Sequence, residues 1–280
     1  MPKSKIDPFK FIVWGARGSI PSPGPDTIKY GGNTSCLEVR CGKEIIIFDA
    51  GTGIRNLGTK LLKEMPFHAT ILLSHAHWDH IQGFPFFLPA YMPGNTFDFY
   101  GEEQLEVEEV LKRQMISPTF PITLDEMESE FSFYDLKVRG EIKIGEAQIV
   151  YDRLNHPGNV TTFRVNYKGK SMVYATDTEH FSCLDPTLLK LAHKTDILIY
   201  DAQYTDDEYS GKDGMPRTAW GHSTWNKAVE MAQAAKVKTL ILWHHDPYHE
   251  DTKIDSIEKQ AQKEFKESYA AYEGMEIDLI

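Results

Sequence analysis

Residues 69–80 read Ala69-Thr70-Ile71-Leu72-Leu73-Ser74-His75-Ala76-His77-Trp78-Asp79-His80. The apolar run from Ala69 to Leu73 reads as a buried strand, and it feeds straight into four side chains of metal-ligand type. In an extended segment, residues i and i+2 share a face, so His75 and His77 can grip one ion together. Past the strand end the chain turns, which lets Asp79 and His80 face a second position close by. Imidazole and carboxylate donors suit zinc, manganese or iron better than copper(I). The chain has only 11 His in 280 residues, so this density marks a site rather than a solvated loop that happens to be rich in His.

Other ligand types stand at other strand ends. His156 follows an apolar stretch ending near Leu154, Asp177 follows one ending at Ala175, and His244 follows Leu240 to Trp243. Each alone is more often hydrogen-bonded structure than a ligand. Together with His75, His77, Asp79 and His80 they complete two coordination shells. Asp177 is the natural bridge, because its two oxygens can serve both ions. His245 competes with His244, and His244 is preferred because it comes directly after the apolar run.

Around these points the chain reads as an α/β protein. Short strands are expected at Phe11 to Trp14, Ser35 to Val39, Glu44 to Asp49, Thr161 to Tyr167, Ser171 to Ala175, Asp196 to Tyr200 and Thr239 to Trp243. Glu128 to Val138 and Glu141 to Leu154 read as two strands joined at Gly140. Helical spacing covers Ile54 to Lys63, Glu103 to Met115, and Ile254 to Tyr272 ending at Gly274. Asp185-Pro186 opens a helix to His193, and Ser223 or Thr224 caps one running through Lys236. No repeat, linker or low-complexity tract interrupts the chain, which reads as one domain over 1–280.

Composition sets the outer limits. Lys+Arg number 30 and Asp+Glu 41, a net charge of −11, with 41% hydrophobic residues. That is a globular, core-forming composition. The acidic balance argues against sequence-independent binding of long nucleic acid, which needs a basic surface. It leaves room for a small phosphate-bearing substrate if bound cations supply local positive charge. No apolar run is long enough to span a membrane. Met1 to Lys10 has no apolar core of a secretory signal. The three cysteines, Cys36, Cys41 and Cys183, are few and odd in number, so a reducing, cytoplasmic setting is expected. The acidic surface and apolar strand edges are compatible with a homodimer.

The pattern His75-x-His77-x-Asp79-His80, then His156, Asp177 and His244, resembles the metallo-β-lactamase superfamily of binuclear metallohydrolases. Gly31-Gly32-Asn33-Thr34-Ser35 and Phe48-Asp49-Ala50-Gly51-Thr52-Gly53 support the likeness, which runs from about Phe11 to His249. It implies an αββα sandwich and two divalent metal ions, zinc first, with manganese or iron as alternatives. One ion would be held by His75, His77 and His156, the other by Asp79, His80 and His244, with Asp177 and a water between them.

Within the superfamily the likeness is to the phosphodiesterase branch. Gly221-His222-Ser223-Thr224 resembles the ribonuclease Z segment whose histidine assists the leaving group. Asp201-Ala202-Gln203-Tyr204 sits where ribonuclease Z has a Glu-containing segment that orients that histidine. By this match the water ionised between the metals attacks phosphorus, Asp79 also orients it, His222 is the leaving-group acid and Asp201 its partner. The basic, Gly-rich arm by which ribonuclease Z grips tRNA has no counterpart, since Glu102 to Glu130 is acidic. That favours a small phosphodiester, with a 3′,5′-cyclic nucleotide first and no long nucleic acid as partner. The alternatives are a ribonuclease Z-type RNA 3′-processing nuclease, or a lactonase or thioester hydrolase on the same metal site.

Several residues admit a structural or a functional role. Asp49 either holds a ligand histidine or shapes the turn before Gly51. Asn33 and Thr34 are expected to satisfy loop amides. Trp78, Phe84, Phe86 and Phe87 are read as core more than as a base-stacking cluster. Arg17 reads as a surface arginine or a phosphate contact. His68, His180, His193 and His249 read as ordinary histidines.

Overall fold

A computed structural model describes residues 8–280. The stretch read for a secretory signal therefore lies, up to residue 7, outside the described residues. The first half runs β1 (Phe9–Gly15), β2 (Cys36–Cys41), β3 (Glu44–Phe48), α1 (Ile54–Leu61), β4 (His68–Leu72), α2 (Trp78–Ile81), β5 (Thr96–Glu102), α3 (Val107–Gln114) and β6 (Glu130–Leu136). The second runs β7 (Gly140–Ile144), β8 (Ala147–Leu154), β9 (Val160–Tyr167), β10 (Lys170–Ala175), α4 (Pro186–Ala192), β11 (Ile197–Asp201), α5 (Asp206–Ser210), α6 (Trp225–Ala235), β12 (Thr239–Trp243), α7 (Asp251–Glu264), β13 (Ser268–Ala270) and β14 (Glu276–Asp278).

The strands form two seven-stranded sheets, ordered β14-β1-β2-β3-β4-β5-β6 and β13-β12-β11-β10-β9-β8-β7. Each is antiparallel on one side and parallel on the other: β3 to β6 run parallel in the first, β10 to β13 in the second. The inner parallel strands β3, β11 and β12 are almost wholly buried and apolar because both of their faces are covered, whereas the edge-ward β6 alternates exposed and partly buried residues. Phe11, Val39, Phe48, Phe163, Tyr174 and Trp243 fill the space between the sheets. Leu57 and Leu61 of α1 and Leu111 of α3 pack on the outside of the first sheet. Ala228 and Ala232 of α6 and Ile257 and Ala261 of α7 pack on the outside of the second. The αββα sandwich expected from the sequence is the observed fold.

Three local expectations fail, each for a definite reason. The helix expected over Glu103 to Met115 is split, because Glu106 is left-handed (φ 48°) and α3 begins only after it. Gly140 does not join two strands of one hairpin. β6 and β7 belong to different sheets, and the hairpin turn lies at Gly145 (φ 56°), between paired Ile144 and Ala147. The last helix stops at Glu264, and the chain then supplies β13 and β14, one edge strand to each sheet. These strands are three residues long, too short for a periodicity to show.

Candidate metal centre

The site residues sit where strands end. β4 delivers Ser74 to His77, β8 is followed by His156, β10 by Asp177, β11 ends at Asp201, and β12 is followed by His244. This is the end at which open α/β sheets form crevices. Three residues here leave their strands in a left-handed conformation: Asp49 (φ 60°), Asp177 (φ 45°) and His244 (φ 62°). Asp and His tolerate that region better than most side chains, and such residues gather at functional sites.

Two donor sets converge. Ligand-type atoms of His75, His77, His156 and Asp177 all lie within 4.8 Å of one another, as do those of Asp79, His80, Asp177 and His244. Asp177 belongs to both sets through different oxygens. Its Oδ2 lies 3.5 Å from His75 Nε2 and 3.9 Å from His156 Nε2. Its Oδ1 lies 3.2 Å from Nε2 of both His80 and His244. Asp79 Oδ2 closes the second set at 3.1 Å from His244 Nε2 and 3.4 Å from His80 Nε2.

The outward-facing ring atoms are held in place. His80 Nδ1 meets Asp49 Oδ2 at 2.7 Å, His244 Nδ1 meets Gln203 Oε1 at 2.8 Å, and His156 Nδ1 meets the Gly221 carbonyl at 2.8 Å. His75 Nδ1 lies 3.1 Å from Ser74 Oγ. A fixed Nδ1 partner sets the tautomer and aims Nε2 inward, as metal-binding imidazoles require. His75 Nε2 is buried with no hydrogen-bond partner, an orphan that a cation would satisfy. Burial pushes His75 well below its usual pKa and His156 down to about 4, so both present the neutral form that ligates. The donor set thus fits divalent metal ions.

The fit extends to the backbone. A Cβ at Gly18 would stand 2.4 Å from the His244 ring, and one at Gly221 would stand 2.3 Å from the His156 ring. Gly221 also has φ 92°, so its lack of a side chain serves twice.

His222 lies beside both sets, its Nδ1 2.8 Å from Asp201 Oδ2 and 4.0 Å from Asp177 Oδ2. Burial alone would lower the pKa of this imidazole. The Asp201 charge and hydrogen bond, helped by the charges of Asp177 and Asp79, outweigh burial and raise it to about 9. A cleft of about 480 Å3, lined by Ser19, His77, Trp78, Asp79, Asp177 and His222, opens over these groups.

Other expectations sort cleanly. Asp49 does hold a histidine, and it also accepts from Ser74 N, Ser74 Oγ and Tyr174 Oη at 2.8–2.9 Å. His245 faces away from the donors, its Nε2 donating to the Ala271 carbonyl at 2.9 Å. Asn33 is spent on Glu273 and Thr34 on Thr52, as expected of loop residues. Arg17 is neither on the surface nor at the cleft: it is buried and donates to the carbonyls of Gly31, Asp246 and His249. Phe84 and Phe87 are core, whereas Trp78 and Phe86 are exposed. Gln203 and Glu179 escaped the sequence reading. Glu179 is buried and accepts from Tyr209 Oη (2.7 Å), Ala219 N (2.6 Å) and Gly221 N (2.9 Å), which pins the loop carrying His222.

Comparison with known proteins agrees with this geometry. A family model described as the beta-lactamase superfamily domain matches residues 44–245. Ribonuclease Z of Picrophilus torridus is 26% identical, the match covering 97% of this chain and 96% of that one. The metallo-beta-lactamase fold protein YhfI from Bacillus subtilis has a TM-score of 0.75 at 18% identity, covering 98% of this chain and 100% of that one. Human tRNase Z, short form, has a TM-score of 0.68 at 20% identity, covering 97% and 99%. The chain belongs to the metallo-β-lactamase superfamily, in its ribonuclease Z-like branch.

One expectation is overturned by these matches. The acidic composition leads to an expectation of no long nucleic acid as partner, yet relatives that match over most of their length are ribonucleases Z, named for an RNA substrate. The net charge of −11 sums the whole surface. It says little about a cleft whose local field divalent cations at these donors would set.

Proposed function

We propose that this chain is a binuclear metal-dependent phosphodiesterase that cleaves RNA phosphodiesters in the manner of a ribonuclease Z. The observation that carries the reading is Asp177, one carboxylate with an oxygen in each of two donor sets, beside an imidazole backed by Asp201. His75, His77, His156 and Asp177 would hold one divalent ion, and Asp79, His80, Asp177 and His244 the other. When bound, such ions activate water at neutral pH and offset the charge that grows on a phosphoryl group. Zinc suits the donors best, with manganese or iron as the other candidates.

The chain's own residues do the rest. His222 carries a proton on Nδ1 that Asp201 fixes, which leaves Nε2 to give its proton to the departing oxygen. Asp79 is steadied by the Ser19 backbone N–H at 2.8 Å, so its carboxylate keeps one orientation toward the attacking water. Gln203 fixes the His244 ring, and the Gly221 carbonyl that fixes His156 belongs to the same loop as His222. Metal ligation and acid catalysis are thereby tied to one backbone segment.

A second substrate class also fits. The cleft of about 480 Å3 can take one nucleotide, so a 3′,5′-cyclic nucleotide remains a reading with a specific observation behind it. We further propose one hydrolase domain over 1–280, working in the cytoplasm; Cys36, Cys41 and Cys183 all stand as free thiols. Among the described residues no helix is long and apolar enough to cross a membrane.

The test is a panel of bis(p-nitrophenyl) phosphate, a tRNA precursor with a 3′ trailer, cyclic AMP and cyclic GMP, each with zinc and with manganese. Cleavage of the tRNA precursor together with the synthetic diester is the expected result. Turnover of the cyclic nucleotides alone moves the substrate to the second class. If every diester stays intact, the phosphodiesterase reading is wrong.

A further inference from the structure

A second concavity, of about 530 Å3, adjoins the metal cleft. The two share Ala76 and Trp78 as lining residues, so the groove begins where the cleft ends. Its walls are largely aromatic and aliphatic. Phe86 and Phe120 meet edge to face at 5.7 Å, and Arg113 stands on the rim. Trp78 is the first residue of α2, and its neighbours Asp79 and His80 are buried at the donor sets. Yet Trp78 itself is 80% exposed, and Phe86 is 56% exposed. Burying large aromatic side chains is favourable, so leaving two of them in water beside a catalytic cleft calls for an occupant.

We infer that this groove is a nucleobase subsite, in which a base of the substrate stacks against Trp78 and Phe86 while its phosphodiester sits at the metal centre. The inference rests on the phosphodiesterase reading and names the part of the substrate that lies outside the metal cleft. A base has a π-face that any aromatic wall accepts, so recognition here is tolerant of sequence. The Arg113 guanidinium on the rim pairs only loosely with Glu106, at 3.6 Å, and both are largely exposed. It is therefore available to the face of a base or to the next phosphate. The expectation that the cluster Trp78, Phe84, Phe86 and Phe87 is core holds for Phe84 and Phe87 alone; the two exposed members line the groove.

The experiment uses the full chain loaded with zinc or manganese and two esters that share a p-nitrophenoxide leaving group. Thymidine 5′-(p-nitrophenyl phosphate) carries a base, and methyl p-nitrophenyl phosphate does not. Trp78→Ala should lower kcat/KM for the thymidine ester about 5- to 150-fold more than for the methyl ester, the range one stacked base is worth. Phe86→Ala should shift the ratio in the same direction, and Trp78→Phe should restore most of it. Equal losses on the two esters overturn the inference. If neither ester is hydrolysed, the phosphodiesterase reading is decided by the diester panel above, and calorimetric titration with adenosine 5′-monophosphate and with ribose 5-phosphate decides the groove by itself. A preference for the nucleotide that Trp78→Ala abolishes supports the subsite; no preference, or no binding of either, overturns it. An unmoved ester ratio with a dimer turned to monomer by Trp78→Ala assigns the groove to a second copy of the chain, which also overturns it.

Discussion

Oδ2 of Asp201 lies 2.8 Å from Nδ1 of His222, and the same carboxylate accepts backbone N–H groups from Thr178 (3.2 Å) and Gln203 (3.1 Å). His222 and the segments carrying Thr178 and Gln203 therefore share one buried anchor. Burial lowers the His222 pKa, but Asp201 first, and then the charges of Asp177 and Asp79, raise it from 6.5 to about 9, so the imidazolium persists across neutral pH. An acid works only while protonated, so kcat/KM for substrates with poor leaving groups should fall as pH rises toward about 9. Cations held at the donor sets would repel the ring's charge and move that limb downward. Asp201→Asn removes the charge that holds the proton. The limb should move to lower pH, and the rate on alkyl leaving groups should drop roughly 10²-fold or more, with a far smaller loss on p-nitrophenoxide. A pH–rate profile for both leaving groups checks this; an unmoved limb in Asp201→Asn contradicts it.

Asp49 carries four contacts, to Ser74 N, Ser74 Oγ, Tyr174 Oη and His80 Nδ1, and all are buried. Asp49→Asn keeps the shape but turns one acceptor oxygen into a donor group. The His80 ring loses its fixed tautomer, and metal affinity should fall about 10- to 100-fold. Competition with a fluorescent chelator measures that fall. Wild-type affinity in the variant would mean that Asp49 only shapes the turn.

The sequence announced the donors because they are rare residue types at strand ends. His75, His77, Asp79, His80, His156, Asp177 and His244 all come together, though the chain between them spans most of its length. What holds their outer nitrogens was less visible. Gln203 and the Gly221 carbonyl act through position alone, and neither residue type signals a role when read in line. Arg17 misled for a related reason. A guanidinium suggests an anion, but here it closes on three carbonyls inside the protein, a partnership only tertiary structure creates. The acidic net charge misled most, since it is a property of the whole chain while binding is decided in the cleft.

Gly18 tests the packing behind the second donor set. A methyl there would meet His244 Nδ1 at 2.4 Å, closer than real Cβ contacts come, and that ring cannot yield without leaving Gln203 and Asp177. Gly18→Ala should cost about 1–3 kcal/mol of stability, as overpacking does. It should also weaken metal binding. Gly24→Ala is the matched control: its Cβ would meet only Thr27 Oγ1, at 3.8 Å, and a change within about 0.5 kcal/mol is expected. Denaturant midpoints of the two variants, taken with and without zinc, separate the steric cost from the metal-binding cost. A Gly18→Ala protein as stable as Gly24→Ala would contradict the close approach.

Asp177 is the only residue present in both donor sets proposed to hold ions, whereas His156 belongs to one. The two truncations should therefore differ in kind. His156→Ala should bind about one metal ion per chain where the wild type binds about two, because the set with Asp79, His80 and His244 stays complete. Asp177→Ala should lose both ions, since each set loses an oxygen and the facing imidazoles lose the negative charge that balances a dication. Metal bound only to the folded state stabilises by mass action, about 2.7 kcal/mol at a hundredfold excess over Kd. The rise in Tm on adding zinc should accordingly be large in the wild type, smaller in His156→Ala and near zero in Asp177→Ala. Elemental analysis of each purified protein gives the stoichiometry, and thermal melts give the linkage. A full complement of metal in Asp177→Ala would show that the carboxylate does not bridge, and the two donor sets would then have to be redrawn as independent sites.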